Sequence, residues 1–231
     1  MKIFWLKQSL QDVPDSKEWL HSSEKEVLSG FKFPKKRKDW LLGRWTAKNA
    51  VKYFLRVTHP ELSLHTIEIT AAEDGAPEVY HNRSLLPAYI SLSHSNGKGI
   101  CAISSPDIKI GCDLEKIESR SQFLINDHFT LREQELITKS DRNYQALWTN
   151  LVWSAKESAL KTLREGLRID TLKIEVDFLP AVNRDSWNPL KATFLDEGIE
   201  FTGYWQFTSD FVLTILSDKK DIEPIEIQLN H

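Results

Sequence analysis

Ile108-Lys109-Ile110-Gly111-Cys112-Asp113-Leu114-Glu115 alternates without a break. In an extended strand Ile108, Ile110, Cys112 and Leu114 share one face, and Lys109, Gly111, Asp113 and Glu115 share the other. Two carboxylates thus project side by side at the end of an apolar strand. Like charges at that separation repel and need compensation. A hard cation with oxygen ligands supplies it. Taken alone, the pair is a weak signal and reads first as two ordinary acids at a solvated strand end.

Outward from this strand the pattern is mixed. Two more strands precede it, at 88–93 and 99–105. Ser95-Asn96-Gly97 turns between them, and Ser105-Pro106-Asp107 turns into the strand at 108–115. Further back come a strand at 2–7, a helix at 16–29 stopped by Gly30, a helix at 34–56 opened by Pro34, and strands at 66–70 and 78–80. Downstream lie helices at 130–139 and 141–165, the second stopped by Gly166. Strands follow at 172–178, 191–195, 200–208 and 211–217. The expected fold class is α+β, with two lobes of similar make-up, residues 1–106 and 107–231. No repeat is visible by identity.

The 231 residues are 41 % apolar and 27 % charged, ordinary for a soluble globular protein. No apolar run is long enough for a membrane span. The start, Lys2-Ile3-Phe4-Trp5-Leu6, reads as a strand without a small-residue cleavage site, so a cytoplasmic protein is expected. Cys101 and Cys112 lie in apolar runs and read as buried thiols. The formal net charge of −3 argues against a nucleic-acid binder. Lys35, Lys36, Arg37, Lys38, Arg44, Lys48, Lys52 and Arg56 nevertheless crowd one segment, which suits a small, highly charged anion better than a duplex. Lys35 to Lys38 occupy first helical turns, where the helix dipole disfavours cations and a bound anion would relieve the conflict.

Two other stretches carry reactive side chains. In 147–161, Leu147, Leu151, Ala155 and Ala159 form an apolar helical stripe, while Trp153, Glu157 and Lys161 follow another line at i, i+4 and i+8. Glu157 and Lys161 therefore face one side, as a surface ion pair or as a ligand and a phosphate partner. In Ile90-Ser-Leu-Ser-His-Ser-Asn-Gly97, Leu92 points inward and Ser91 and Ser93 point away. His94 stands at the strand's exit.

Gly75-Ala-Pro, Ser91-Leu-Ser-His-Ser, Ile110-Gly-Cys-Asp-Leu-Glu, Phe129-Thr-x-x-Glu133 and Trp153-Ser-x-Lys-Glu-Ser-x-x-Lys161 occur in this order. Together they resemble the Sfp-type 4′-phosphopantetheinyl transferases over roughly residues 30 to 167. The resemblance implies a pseudo-twofold pair of α+β lobes with coenzyme A in the cleft between them. It implies Mg²⁺-dependent transfer of phosphopantetheine to a serine of an apo carrier protein, with 3′,5′-ADP released. Asp113, Glu115 and Glu157 match the acidic Mg²⁺ ligands, and Lys161 the lysine on the phosphates and leaving group. On the coenzyme, His94 matches the 3′-phosphate side, Ser93 a pyrophosphate contact, and Gly75, Ala76 and Pro77 the adenine segment. Arg44 matches a basic contact, joined more loosely by Arg37 and Lys38. Asp113, Glu157 and Lys161 are the expected catalytic set.

Carrier docking is expected on residues 117–129, through Phe123 and Leu124 on an apolar helix face of the carrier and Arg120 on its acidic flank. The expected assembly is a monomer with coenzyme A and an acyl or peptidyl carrier as partners, and no nucleic acid or membrane. The sequence departs from the family pattern at Ala76, where a larger residue is common, and at His128-Phe129, where Phe-Phe is commoner. The compact acyl-carrier-protein synthase class has chains about half as long. The alternative from another class is a non-catalytic coenzyme A- or carrier-binding protein. Such a relative would have lost one of Asp113, Glu115, Glu157 or Lys161, and all four are present.

Overall fold

The computed structural model describes residues 1–178, 185–208 and 210–229. The chain divides into two compact units. The N-terminal unit holds Lys2–Ile108 and the tail from Glu223, and the C-terminal unit holds Lys109–Ile222. The tail differs from the sequence reading, which gave all of 107–231 to one lobe. Its strand pairs in parallel with the first strand of the chain, Lys2 opposite Glu223.

In the N-terminal unit, strand β1 (Lys2–Ser9) leads to helices α1 (Ser22–Ser29) and α2 (Pro34–Leu55). Strands β2 (Ile67–Ala71), β3 (Pro77–His81) and β4 (Ser84–Leu85) form one antiparallel sheet. Strands β5 (Tyr89–Ser95) and β6 (Lys98–Ser104) join β1 and the tail strand β12 (Glu223–Glu226) in another, ordered β12-β1-β6-β5. Helix α2 buries Ala47, Ala50, Val51 and Leu55, which cluster with Leu6, Ile69, Val79, Ile90 and Ile103. Helix α1 is shorter than the expected 16–29. It begins after His21, whose backbone N–H bonds Glu24 at the third helical position.

In the C-terminal unit the order is β7 (Ile110–Lys116), α3 (Gln122–His128), α4 (Leu131–Lys139), α5 (Gln145–Leu163), β8 (Ile174–Phe178), β9 (Asn188–Phe194), β10 (Ile199–Phe207) and β11 (Phe211–Ser217). One sheet runs β7-β11-β10-β9-β8. Its core gathers Leu151, Val152, Ala155 and Ala159 of α5 against Val176, Phe201, Trp205 and Val212. Strand β12 was not expected. Helix α5 stops before Gly166, because Arg164 itself takes the left-handed conformation, φ 62°.

The two units share one internal wiring, which identity alone did not reveal. In the C-terminal unit the Thr130–Glu133 capping box opens α4, and Thr130 N–H donates to Glu133 Oε2 at 2.8 Å. Val176 N–H of β8 donates to Glu133 Oε1 at 2.9 Å, and Lys156 Nζ of α5 lies 2.9 Å from Oε2. Lys156 also donates to the carbonyls of Thr171, at 2.9 Å, and Ile174. In the N-terminal unit, Glu24 accepts from His21 N–H at 3.0 Å and from Ile69 N–H of β2 at 3.1 Å, and it pairs with Lys48 of α2. Lys48 donates in turn to the carbonyls of Leu64, at 2.9 Å, and Trp19, at 3.3 Å. All four side chains are buried.

Once Lys48 is matched with Lys156, Trp45-Thr-Ala-Lys-Asn49 falls in register with Trp153-Ser-Ala-Lys-Glu157. Asn49 and Tyr53 then occupy the counterparts of Glu157 and Lys161. The acid and the lysine are present in the C-terminal copy alone.

Candidate active site

Helix α5 crosses the edge strand β7 at Gly111. A Cβ at that position would stand 1.8 Å from the Ser158 carbonyl oxygen and 2.8 Å from Thr162 Oγ1. Glycine here is a packing requirement: it lets the helix lie on the strand face that carries Asp113. That face is therefore covered, and Asp113 is only 4 % exposed. Gly111→Ala is expected to cost about 1–3 kcal/mol through overpacking, read by chemical denaturation. Unchanged stability would show that the helix does not bear on this strand.

The close crossing brings Lys161 to Asp113. Lys161 Nζ donates to Asp113 Oδ1 at 2.8 Å and to the Cys112 carbonyl at 3.1 Å. Burial is the largest influence and disfavours its ammonium, but Asp113, Cys112 and Glu157 together outweigh it, and the pKa lies above the ordinary lysine value. Lys161 is thus a fixed cation. Glu115, two residues along, takes a different partner: Arg120 donates from its NH2 group to Glu115 Oε2 at 2.6 Å. Burial first, then the Asp113 charge, pushes the Glu115 carboxyl above the usual range, with Arg120 opposing. Burial also raises Glu157, Lys161 opposing and Asp113 adding.

Asp113, Glu115 and Glu157 thus share one electrostatic environment. They offer oxygen alone, the donor chemistry of a hard divalent cation. As they stand, Asp113 is turned to Lys161 and Glu115 to Arg120. Among the described residues no three His, Cys, Asp or Glu side chains are gathered as a metal cage. The donor set fits such an ion chemically, and Lys161 and Arg120 now carry part of the compensating charge.

The residues expected on the coenzyme belong to the N-terminal unit. Arg37 and Lys38 are exposed in the first turns of α2. Arg44 is drawn inward, 3.7 Å from Glu24 Oε1 and with its guanidinium 4.9 Å from the centre of the Trp40 ring. His94 is exposed near the end of β5, and Ser93 beside it is half-buried. Gly75 has φ 86° in the β2–β3 turn, a conformation that favours glycine. Ala76 N–H bonds Asp74 Oδ1 at 3.0 Å there, and Pro77 opens β3.

The three residues expected on the carrier separate. Phe123 is 76 % exposed on α3, whereas Leu124 packs against the C-terminal core. Arg120 is held inward by Glu115 and Asn150. His128, one of the departures, bonds Thr171 Oγ1 at 2.9 Å and meets Trp153 edge-on at 5.3 Å. Phe129 is a core residue. The Phe129-Thr-x-x-Glu133 motif therefore has a structural origin in the capping box and its buried ion pair. Asn150 was missed from sequence; its only signal was an amide on the covered side of a helix.

Residues 109–216 match the model of the 4′-phosphopantetheinyl transferase superfamily. The match takes in a little less than half of the chain. Every member of the Asp113, Glu115, Glu157 and Lys161 set lies inside the match. Three proteins of Streptococcus agalactiae, from serotypes III, V and Ia, each named holo-[acyl-carrier-protein] synthase, are 33 % identical over 75 residues. The alignment covers 32 % of this chain, which spans 63 % of the length of these relatives. Among solved structures, the holo-[acyl-carrier-protein] synthase of Thermotoga maritima is 20 % identical, covering 56 % of this chain and 75 % of its own, with a TM-score of 0.37. No helix of the described residues is long and apolar enough to cross a membrane.

Proposed function

We propose that the chain transfers 4′-phosphopantetheine from coenzyme A to a serine of an apo carrier protein, with Mg²⁺ as the metal. The observation that carries this reading is the Lys161–Asp113 pair at 2.8 Å on α5 and β7, with Glu115 and Glu157 in its field, inside the superfamily match. Names of the Streptococcus relatives support the carrier as substrate.

The serine oxygen forms a bond to the β-phosphorus of the coenzyme's pyrophosphate. The bond from that phosphorus to the bridging oxygen breaks, and 3′,5′-ADP leaves with the electron pair. The serine proton passes to Glu157, directly or through a water. Lys161, a fixed cation, faces the charge that accumulates on the phosphate oxygens. Asp113, Glu115 and Glu157 would hold the metal, which supplies Lewis-acid stabilisation of those same oxygens. His94, Ser93 and the basic side chains Arg37 and Lys38 are assigned to the coenzyme's phosphates, and Arg44 to a contact that also needs its tie to Glu24. The protein is proposed to act in the cytoplasm as a monomer.

Release of 3′,5′-ADP from coenzyme A and an apo carrier tests this reading. It is expected with Mg²⁺ and is expected to stop with EDTA. Full release without divalent metal would remove the metal from the reaction.

Carrier docking is assigned to Phe123, the exposed member of the expected three. Phe123→Ala is expected to raise the KM for the carrier about fivefold, the loss of one apolar contact of roughly 1 kcal/mol, with the melting temperature unchanged. Leu124→Ala, by contrast, is expected to lower stability by about 2 kcal/mol or more because it packs on the core. Steady-state kinetics and calorimetry read the two. A Phe123→Ala protein with unchanged carrier KM would move docking elsewhere.

A further inference from the structure

Asn150 lies on α5, two turns before Glu157, and is fully buried. Its amide is used on both sides. Nδ2 donates to the carbonyls of Glu118 and Ala146, each at 2.7 Å. Those two acceptors fix which end of the amide is nitrogen, so Oδ1 must face the remaining partner. That partner is Arg120, whose Nε donates to Oδ1 at 2.7 Å. The same guanidinium donates from NH2 to Glu115 Oε2 at 2.6 Å. A buried amide on the helix is thereby linked, through one guanidinium, to a carboxylate on the strand.

We propose that Asn150 is a positioning residue that holds Arg120 against Glu115 and so keeps Glu115 oriented beside Asp113 for cation binding. The proposal rests on the metal reading given above. Arginine reaches its target through a long, flexible side chain, and its planar fork fixes direction once two of its nitrogens are engaged. With Asn150 engaged, the guanidinium plane is set before Glu115 is met. Without it, Arg120 has the exposed flank of the unit to explore, and Glu115 has no fixed partner against the charge of Asp113. Hydrogen-bond partners of ligating carboxylates typically change metal affinity 10–100-fold. This assignment takes Arg120 away from the carrier surface and gives it a role on the strand.

Mn²⁺ titrated into the protein alone, followed by electron paramagnetic resonance, tests the proposal without any turnover. Asn150→Ala and Arg120→Met are each expected to weaken Mn²⁺ binding about tenfold. The double variant is expected to be no weaker than Arg120→Met, because one acts through the other. Asn150→Asp keeps an oxygen for Arg120 but loses the donors to Glu118 and Ala146. It is expected to bind Mn²⁺ within about threefold of wild type while melting at a lower temperature. A purely structural Asn150 gives the opposite pattern: Asn150→Asp as weak as Asn150→Ala, or losses that multiply in the double variant. Either result overturns the proposal, as does unchanged Mn²⁺ binding in Asn150→Ala. A wild type that takes up no Mn²⁺ removes the metal reading and this proposal together. A wild type that binds, with variants that bind equally, removes the proposal alone.

Discussion

Glu157→Gln is expected to lower transfer to a carrier about a thousandfold, equivalent to roughly 4 kcal/mol of transition-state stabilisation. The same substitution is expected to leave the melting temperature within about 2 °C. The two effects separate because of where Glu157 sits. It is half-buried on α5, its carboxyl is pushed up by burial and by Asp113, and Lys161 spends its hydrogen bonds on Asp113 and the Cys112 carbonyl. Among the described residues, removing the Glu157 charge therefore breaks no ion pair at hydrogen-bond distance; it gives up a longer-range attraction to Lys161 and relieves the burial of a charge and a weaker repulsion from Asp113. Asp113→Asn is a less clean experiment, since it weakens the bond that holds Lys161. Initial rates of holo-carrier formation with calorimetry on the same sample read both quantities. Wild-type rates in Glu157→Gln would remove Glu157 from the chemistry.

Glu133→Ala carries the largest expected loss of stability, about 3–5 kcal/mol, the cost of leaving one partner of a buried ion pair alone. The variant strands the Lys156 ammonium with two carbonyls and leaves the N–H groups of Thr130 and Val176 without their acceptor. A fall in melting temperature of roughly 10 °C follows. Glu24→Ala is expected to cause a comparable fall, because Lys48 and the Ile69 N–H depend on it in the same way. Replacing both charges, as Glu133→Gln with Lys156→Met, is expected to recover part of the loss, since no uncompensated charge then remains buried. Calorimetry decides. A Glu133→Ala protein as stable as wild type would show that this pair does not support the unit.

The elements with strong period were legible in the sequence. The alternation at 108–115 gave β7, and the apolar stripe at 147–159 with Pro34 and its following run gave the two long helices. The spacing alone puts Glu157 and Lys161 on one helical line, and Asp113 and Glu115 on one strand face. Three features were not legible. What covers the face of Asp113 was hidden because alternation says which residues share a side, not what lies on it; Gly111 was the residue that held the answer. The internal repeat was hidden because its constant parts are two buried Glu–Lys pairs whose partners lie far apart in sequence. Arg120 looked like a surface cation in a polar segment, and no local pattern could announce an amide on α5, thirty residues on, waiting for it.

The mass of the carrier decides whether the chain is a transferase. The chain is incubated with coenzyme A, Mg²⁺ and a panel of apo carriers of the acyl and peptidyl types, and each carrier is weighed intact and after digestion. The expected result is the gain of one phosphopantetheine group on a single serine of at least one carrier, with one 3′,5′-ADP released for each carrier modified. A chain that binds coenzyme A and Mg²⁺ yet leaves every carrier at its original mass would contradict it, and would make this a binding protein with the residues of an enzyme.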